Sequence, residues 1–196
     1  MKIAMIETLQ VGDINHVSDN IFFSGCNNHC VYCHNKWLKD FRLYVDYDIS
    51  KIIETCHSDW VTLMGGEPLH RDVNDLVFII KELKNAEKKI VIFTSVFNQI
   101  IYDLVDHYHL HIVDDMSELE EPIGLKKLSF AFVSYKTDVK DFDKFPKWAI
   151  NYPVYVRLAL GYEKYSNPEK DAQFMKNVLG YKIVLHEGEK VVVNSV

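Results

Sequence analysis

Residues 20–35 read NIFFSGCNNHCVYCHN, a short apolar run followed by three cysteines within eight positions. The apolar run has the length and composition of a buried strand, so we predict a strand over residues 20–24 that leads into a cysteine loop, residues 26–35. The cysteines are Cys26, Cys30 and Cys33, with C-x3-C-x2-C spacing. At about 2% cysteine, chance produces such a trio with a probability on the order of 10⁻³. The loop is therefore a candidate metal site.

Four kinds of site compete for this trio. A disulfide leaves an odd thiol, and clustered thiols in a reducing compartment usually bind metal. A zinc site would recruit a fourth ligand from His29, His34 or the distant Cys56. Residues 30–34 also match the C-x-x-C-H attachment pattern of a c-type haem. The pattern favours an iron–sulfur cubane on three thiolates, which leaves one iron open to another ligand.

Composition excludes several functional classes. The chain has 196 residues, and 22 Lys and Arg against 28 Asp and Glu give a net charge of −6. This charge disfavours sequence-independent binding to nucleic acid or to an anionic membrane. No apolar run approaches the ~18 to 20 residues of a membrane span, and Glu7 interrupts the apolar start of the chain. We therefore expect a single domain over residues 1–196, located in the cytoplasm.

Short β-rich runs alternate with helical periodicity along the chain, which predicts βα units and a largely parallel sheet. A closed eight-fold barrel needs ~250 residues, whereas about six units fit here, so we predict an open partial (β/α)6 barrel with a C-terminal β-hairpin. The predicted strands are 2–6 at an edge, 20–24, 60–64, 90–93, 109–113, 128–133, 154–160, and the hairpin 182–185 and 190–193. The predicted helices are 48–57, 72–86, 99–106, 139–150 with an interruption at Pro146, and one that begins at Asn167–Pro168 and stops near Gly180.

A second motif, Met64–Gly65–Gly66–Glu67–Pro68, follows the predicted strand 60–64. Sites in parallel α/β proteins collect at the carboxyl ends of strands. The two glycines would let a ligand approach the backbone closely, although a Gly-Gly pair is also common in simple tight turns. Beside the cysteine loop, we interpret this motif as part of the same site.

The cysteine trio, with the aromatic Tyr32 before its last member and Gly65–Pro68 about thirty residues later, resembles the radical S-adenosylmethionine (SAM) superfamily. The resemblance implies a [4Fe–4S] cluster on Cys26, Cys30 and Cys33, whose open iron binds the amino and carboxylate groups of SAM. Reductive cleavage of SAM would then give methionine and a 5′-deoxyadenosyl radical that takes hydrogen from a substrate. The protein would position the reactants, tune the cluster and exclude water.

The resemblance also assigns roles to individual residues. Tyr32 would lie near the adenine, with a core aromatic as the alternative, and Gly65–Glu67 would receive the methionine ammonium. Thr94 and Ser95, at the end of the strand 90–93, match a polar strand end that contacts the cofactor, unless they only cap a helix. Arg157 is a charge within an apolar strand and must be paired, either with the cofactor carboxylate or with a structural Asp.

Within the superfamily, residues 32–35, Tyr-Cys-His-Asn, and the short chain are most similar to the activating enzymes of glycyl-radical proteins, especially the small activase of anaerobic ribonucleotide reductase. This implies a glycyl-radical enzyme as partner, which loses hydrogen from a glycine Cα, and a flavodoxin- or ferredoxin-type reductant. Residues 12–16 replace the usual Gly-Pro-Gly stretch, and the region after residue 125 is longer than the smallest activases need. The alternative is a 7-carboxy-7-deazaguanine synthase-like enzyme, which usually has Asp-Thr where this chain has His34–Asn35.

Two further features receive structural interpretations. Cys56, on a predicted helix, is most simply a small buried residue. His107, His109 and His111 span a helix-to-strand junction, and we predict a histidine-rich surface there rather than a metal site.

Overall fold

The computed structural model of the protein describes residues 2–11, 16–124, 127–159, 163–187 and 190–193. The chain divides into two compact units. The first comprises Met1–His29 and Asn35–His109, and the second comprises Cys30–His34 and Leu110–Val196. The cysteine loop therefore contributes residues to both units, because Cys26 belongs to the first, and Cys30 and Cys33 belong to the second.

The first unit is built on both parallel and antiparallel β-strands. Their bounds are β1 Lys2–Ile3, β2 Met5–Val11, β3 Val17–Phe23, β4 Val45–Asp46, β5 Trp60–Gly65 and β6 Lys89–Thr94, and β7 His107–His111 begins here. Strands β2, β3, β5 and β6 are neighbours in that order. β3 is parallel to β5 and β5 to β6, whereas β2 pairs antiparallel with β3, and β1 pairs antiparallel with β4.

Three α-helices accompany these strands, α1 Ile49–Thr55, α2 Val73–Asn85 and α3 Gln99–Leu104. α2 packs on β6 and buries a stripe at helical spacing, Leu76, Ile79, Ile80 and Leu83. Its N-cap is Asp72, whose carboxylate accepts a hydrogen bond from the Asn74 N–H at 2.9 Å. Such N-caps typically contribute about 1 kcal/mol. Burial of the apolar face and the cap together explain why this stretch is the longest helix of the unit.

A buried carboxylate fixes the position of β3. Asp19 is fully buried and accepts hydrogen bonds from the Leu9 N–H at 2.8 Å, the Ser58 N–H at 2.6 Å and the Ser58 hydroxyl at 3.1 Å. Leu9 lies at an irregularity of β2 with a φ of 55°. A buried charge of this kind is tolerated only when hydrogen bonds replace its hydration. Asp19 therefore ties the irregular edge strand and the turn before β5 to β3.

The second unit has a mostly parallel set of strands. These are β8 Leu128–Ser134, β9 Pro153–Leu158, β10 Lys182–Glu187 and β11 Lys190–Val193, and the unit has one α-helix in its described residues, α4 Pro168–Asn177. β8, β9 and β10 are parallel neighbours, and β10 pairs antiparallel with β11 in the predicted hairpin. Asn167 caps α4 by accepting from the Lys170 N–H at 3.0 Å, as the Asn-Pro signal predicts.

Aromatic side chains form the core beside β8. The ring of Phe130 contacts those of Phe145, Trp148 and Tyr152, at centroid distances of 6.0, 5.6 and 6.3 Å. The stretch that contains the last three rings is not the predicted α-helix but has two 3-10 segments, Val139–Lys144 and Lys147–Asn151, which end next to Phe145 and Tyr152. Pro146 separates the two segments, since proline lacks the backbone N–H that a continuous helix needs.

The predicted α/β class with a largely parallel strand arrangement is confirmed, as is the C-terminal hairpin. The bounds of the helices and strands differ from the predicted ones by a few residues. The alternation breaks between β7 and β8, because no helix occurs there among the described residues 112–124 and 127. The open partial barrel stays a prediction, and so does the single-domain organisation. Residues 12–15 and the hairpin turn residues 188 and 189 lie outside the described residues.

The histidine cluster is not the predicted surface. His109 is fully buried in β7, and its ring lies 4.6 Å from that of Phe93. Its neighbours Tyr108 and Leu110 are also fully buried, so both faces of the strand are covered. Burial also lowers the pKa of His107 to about 4.

In the part of the chain that the structure describes, no helix has the length and apolarity needed to cross a membrane.

Candidate functional site

The start of the cysteine loop is held by backbone hydrogen bonds from two directions. The Gly25 N–H donates to the Leu38 carbonyl at 2.6 Å, and the Cys26 N–H donates to the Lys39 carbonyl at 3.3 Å. The Asn27 N–H donates to Nδ1 of His70 at 3.0 Å, on the short helix Pro68–His70 that follows the Gly-Gly-Glu motif. The position of Cys26 is therefore set by the segment after the loop and by the end of β5.

The glycine pair explains how the two motifs pack together. A Cβ on Gly66 would lie 2.5 Å from the Gly25 carbonyl oxygen, and one on Gly65, which has a φ of +117°, would lie 2.6 Å from the Phe23 carbonyl oxygen. The Glu67 N–H donates to that same Gly25 carbonyl at 2.9 Å. The close approach predicted for a ligand is thus made here by the backbone of the chain itself. The glycines let the end of β5 pack directly on the start of the cysteine loop.

Glu67 connects the ends of β5 and β6. Its side chain is 2% exposed, and one carboxylate oxygen accepts from the Leu69 N–H at 3.1 Å and from the Thr94 hydroxyl. The other oxygen accepts from the Ser95 N–H at 2.7 Å and the Ser95 hydroxyl at 2.6 Å. A carboxylate offers about four acceptor positions. The four donors therefore account for the hydrogen-bonding capacity of Glu67.

The same network reaches the cysteine loop through Asn28. The Asn28 side-chain amide donates to the Ser95 hydroxyl at 2.6 Å, and Lys39 Nζ donates to the Asn28 carbonyl at 2.8 Å. Thr94 and Ser95 do not cap α3, because Asn98 does so by accepting from the Ile101 N–H at 3.2 Å. The structure thus brings the predicted residues Gly65–Glu67, Thr94 and Ser95 together. Asn28 was not predicted, although its place between Cys26 and Cys30 was a signal.

Residues Cys30–His34 of the cysteine loop lie in the second unit. The Cys33 N–H donates to the Cys30 carbonyl at 3.2 Å, which closes a tight turn around Tyr32. The Tyr32 ring packs on that of Tyr135, with centroids 5.7 Å apart. Burial, and next the negative charge of a nearby Cys30 thiolate, raises the pKa of Tyr32 to about 12. Tyr32 is therefore a neutral hydrogen-bonding aromatic at physiological pH.

Arg157 lies in β9, between Val156 and Leu158, as the sequence predicts. It pairs in register with Val133 of β8 and His186 of β10. Loss of hydration lowers the pKa of its guanidinium to about 10, so the group still carries its charge near neutral pH. β9 thus carries one charged side chain, Arg157, among apolar residues.

The thiols separate into two environments. None of the four cysteines forms a disulfide, and Cys26, Cys30 and Cys33 are partly exposed. Cys56 ends α1 and is 3% exposed, and burial raises the pKa of its thiol to about 12, so the prediction of a small buried residue is confirmed. Among the described residues, no group of three His, Cys, Asp or Glu side chains is arranged as a ready metal site. The fit to a cluster therefore rests on the chemistry and spacing of the three accessible thiols.

A loop with three partly exposed thiols that follows a strand of a parallel pair is typical of an iron–sulfur protein of the α/β class. Residues 17–119 match the family model of the 4Fe-4S single cluster domain, which covers more than half of the chain. The chain belongs to this family, and the match decides between the alternatives in favour of the cubane over zinc or haem.

A curated relative is the 7-carboxy-7-deazaguanine synthase of Clostridium acetobutylicum, 39% identical over 56 residues. The match covers 26% of this chain and 25% of that protein. The chain thus spans about a quarter of the length of this relative. The two comparisons support the radical SAM superfamily, with a [4Fe–4S] cluster and SAM as cofactors.

Proposed function

We propose that this radical SAM protein activates a glycyl-radical enzyme by removing hydrogen from a glycine of that partner. The cluster and SAM, when bound, supply the chemistry: one electron cleaves a C–S bond and yields methionine and a 5′-deoxyadenosyl radical. The observation that carries the subgroup is the sequence Tyr32–Cys33–His34–Asn35 at the end of the cysteine loop.

In this proposal Cys26, Cys30 and Cys33 are the cluster ligands. Three thiolates are the set that leaves one iron of a cubane open for a further ligand. Each of the three is accessible, whereas Cys56 is buried and lies 23 positions after Cys33. The backbone hydrogen bonds at Gly25 and Cys26 support this assignment, because they hold the first ligand on a well-packed part of the first unit.

The SAM-binding residues are proposed to be Tyr32, Gly65–Glu67, Thr94, Ser95 and Arg157. Since four donors already bind the Glu67 carboxylate, we propose that Glu67 acts by holding Ser95 and the strand ends in place. Tyr32 is suited to contact the adenine because its ring is neutral and half-buried. The charge of Arg157 is suited to the carboxylate of SAM.

The architecture proposed with this function is the open partial (β/α)6 barrel, since an open sheet edge would admit a loop of the partner protein. A flavodoxin- or ferredoxin-type protein is proposed as the reductant. Cytoplasmic location is part of the same proposal, because a reducing compartment keeps thiol ligands reduced.

A deazaguanine-forming enzyme is the second candidate, and the curated relative favours it. The experiment that separates the two starts from anaerobically reconstituted protein with about four irons per chain. The protein is mixed with SAM, dithionite and the anaerobic ribonucleotide reductase of the same host, and a glycyl doublet is sought by electron paramagnetic resonance. Formation of the doublet is the expected result. Deoxyadenosine formation that a small pterin stimulates, without a doublet, would move the assignment to the second candidate.

Matched variants control this experiment. Cys30→Ala is expected to abolish both cluster assembly and SAM cleavage, whereas Cys56→Ala is expected to leave both nearly intact. Loss of the cluster in a folded Cys56→Ala protein would contradict the proposed ligand set.

A further inference from the structure

The segment after the cysteine loop exposes an unusual amount of apolar surface. Within residues 37–45, which we name the 37–45 strip, five large hydrophobic side chains are exposed: Trp37, Phe41, Leu43, Tyr44 and Val45. Trp37 is 50% exposed and Val45 56% exposed. Aromatic residues of this kind are enriched in protein–protein interfaces, whereas scattered single hydrophobics are ordinary surface. Their concentration in one short segment indicates a surface that a partner covers.

The strip is positively charged on a protein that is negative overall. Residues 36–45 carry three basic side chains, Lys36, Lys39 and Arg42, and one acidic side chain, Asp40. Two further cations lie over its rings: Lys2 Nζ is 4.7 Å from the centroid of Tyr44, and the Arg71 guanidinium is 5.8 Å from that of Phe41. The whole chain has a net charge of −6. Charge complementarity therefore favours an acidic partner.

The strip is also attached directly to the first proposed cluster ligand. The main chain of Leu38 and Lys39 accepts hydrogen bonds from Gly25 and Cys26. The ring of Phe41 occupies the space where a side chain on Gly25 would lie, since a Cβ there would be 2.2 Å from Phe41 Cδ1. A protein seated on the strip would thus contact the segment whose main chain is hydrogen-bonded to Cys26.

We propose that the 37–45 strip is the docking surface for an acidic one-electron carrier protein of the flavodoxin or ferredoxin type. The inference rests on the proposed function, because SAM cleavage needs one electron from outside. In the docked complex the carrier loses one electron and the cluster gains it, and no bond forms or breaks in this step. Lys36 and Arg42 supply the long-range attraction, and Trp37 and Leu43 supply the apolar contact.

The test measures reduction of the reconstituted protein by stopped-flow absorbance, with flavodoxin hydroquinone as one reductant and dithionite as the other. In Lys36→Glu/Arg42→Glu, the net charge of residues 36–45, the strip and the lysine before it, changes from +2 to −2. The second-order rate with flavodoxin is expected to fall about tenfold or more at low salt, because electrostatic steering contributes at least this factor. The wild-type rate should also fall as salt increases, and the variant rate should not.

The control carries the same change of charge on two exposed helical lysines, Lys81→Glu on α2 and Lys170→Glu on α4, and should keep the wild-type rate. Unchanged reduction by dithionite shows that the cluster is intact and reducible in every variant. A strip variant that is slowed with both reductants is replaced by Arg42→Glu alone, since that side chain is 90% exposed and pairs with its neighbour Asp40.

Equal flavodoxin rates for the wild type and the strip variant would overturn the proposal. So would a variant that accepts electrons normally but no longer produces a glycyl radical on the partner, since the occupant would then be the substrate protein. Failure of the wild type to cleave SAM with dithionite would instead contradict the proposed function.

Discussion

Replacing Gly66 by alanine tests whether the glycine pair serves the packing of the chain itself. The new Cβ would lie 2.5 Å from the Gly25 carbonyl oxygen and 3.0 Å from both the Gly25 carbonyl carbon and the Leu38 carbonyl oxygen. All three are backbone atoms, and the hydrogen bonds from Glu67 and Gly25 hold them. Rotation of a side chain cannot relieve this contact. Gly66 lacks the positive φ of Gly65, so the effect is steric.

A methyl group forced into a well-packed region costs about 1 to 3 kcal/mol. For a chain of this size, each kcal/mol lowers the melting temperature by about 2 to 4 °C, so a cost near 2 kcal/mol predicts a decrease of about 4 to 8 °C. The displacement acts on Gly25, the residue before Cys26. Gly66→Ala is therefore expected to reduce iron incorporation as well as SAM affinity.

Three measurements check this result: thermal unfolding by circular dichroism, iron content after reconstitution, and SAM affinity by equilibrium dialysis. Gly180→Ala is the matched control, because a Cβ there lies 3.3 Å from the end of the flexible Ile150 side chain rather than against backbone atoms of the described residues. Its φ of +75° predicts a cost of about 1 to 2 kcal/mol, with full iron content. If Gly66→Ala kept its melting temperature and its iron and lost only SAM affinity, the packing argument would be refuted.

Three further predictions concern buried groups of the first unit. Glu67→Gln should lower the free energy of unfolding in urea by about 1 to 3 kcal/mol, because the amide nitrogen cannot accept from the donors that the carboxylate binds; an unchanged midpoint would contradict the network. Iodoacetamide at pH 8 should modify three thiols of the native cluster-free protein and four after unfolding, because the pKa of Cys56 is about 12; four in the native state would contradict its burial. The folded-state pKa of His107, about 4 against the ordinary 6.5, means that the folded state binds fewer protons, so stability present above pH 6.5 is lost as the pH falls toward 4. The loss in the free energy of unfolding is on the order of 3 kcal/mol. Urea titrations at pH 7.5 and 4.5 should show that His107→Gln removes this pH dependence. If the free energy of unfolding changed equally between the two pH values in the wild type and the variant, the assignment would be refuted.

The sequence alone predicted the features that depend on local patterns. The strand before the cysteine loop, the break at Pro146 and the Asn167–Pro168 helix start each follow from the preferences of a few neighbouring residues. The cysteine spacing identified the iron–sulfur class for the same reason, because all three proposed ligands lie in one short loop.

Tertiary structure decided the features that join distant segments. The residues around Gly65–Gly66 do not show whether the space beside the two glycines is filled by a ligand or by the chain itself. In the structure it is filled by the backbone of Gly25, about forty residues earlier. Likewise, the partners of Glu67 at Ser95, and of Ser95 at Asn28, depend on which strands become neighbours. The three histidines at a helix-to-strand junction predict a surface, whereas the packing of β7 buries His109 on a covered face. Local preferences determine which segments form strands, but the buried polar groups find their partners only when those strands assemble, because a buried donor or acceptor must be satisfied wherever the fold places it.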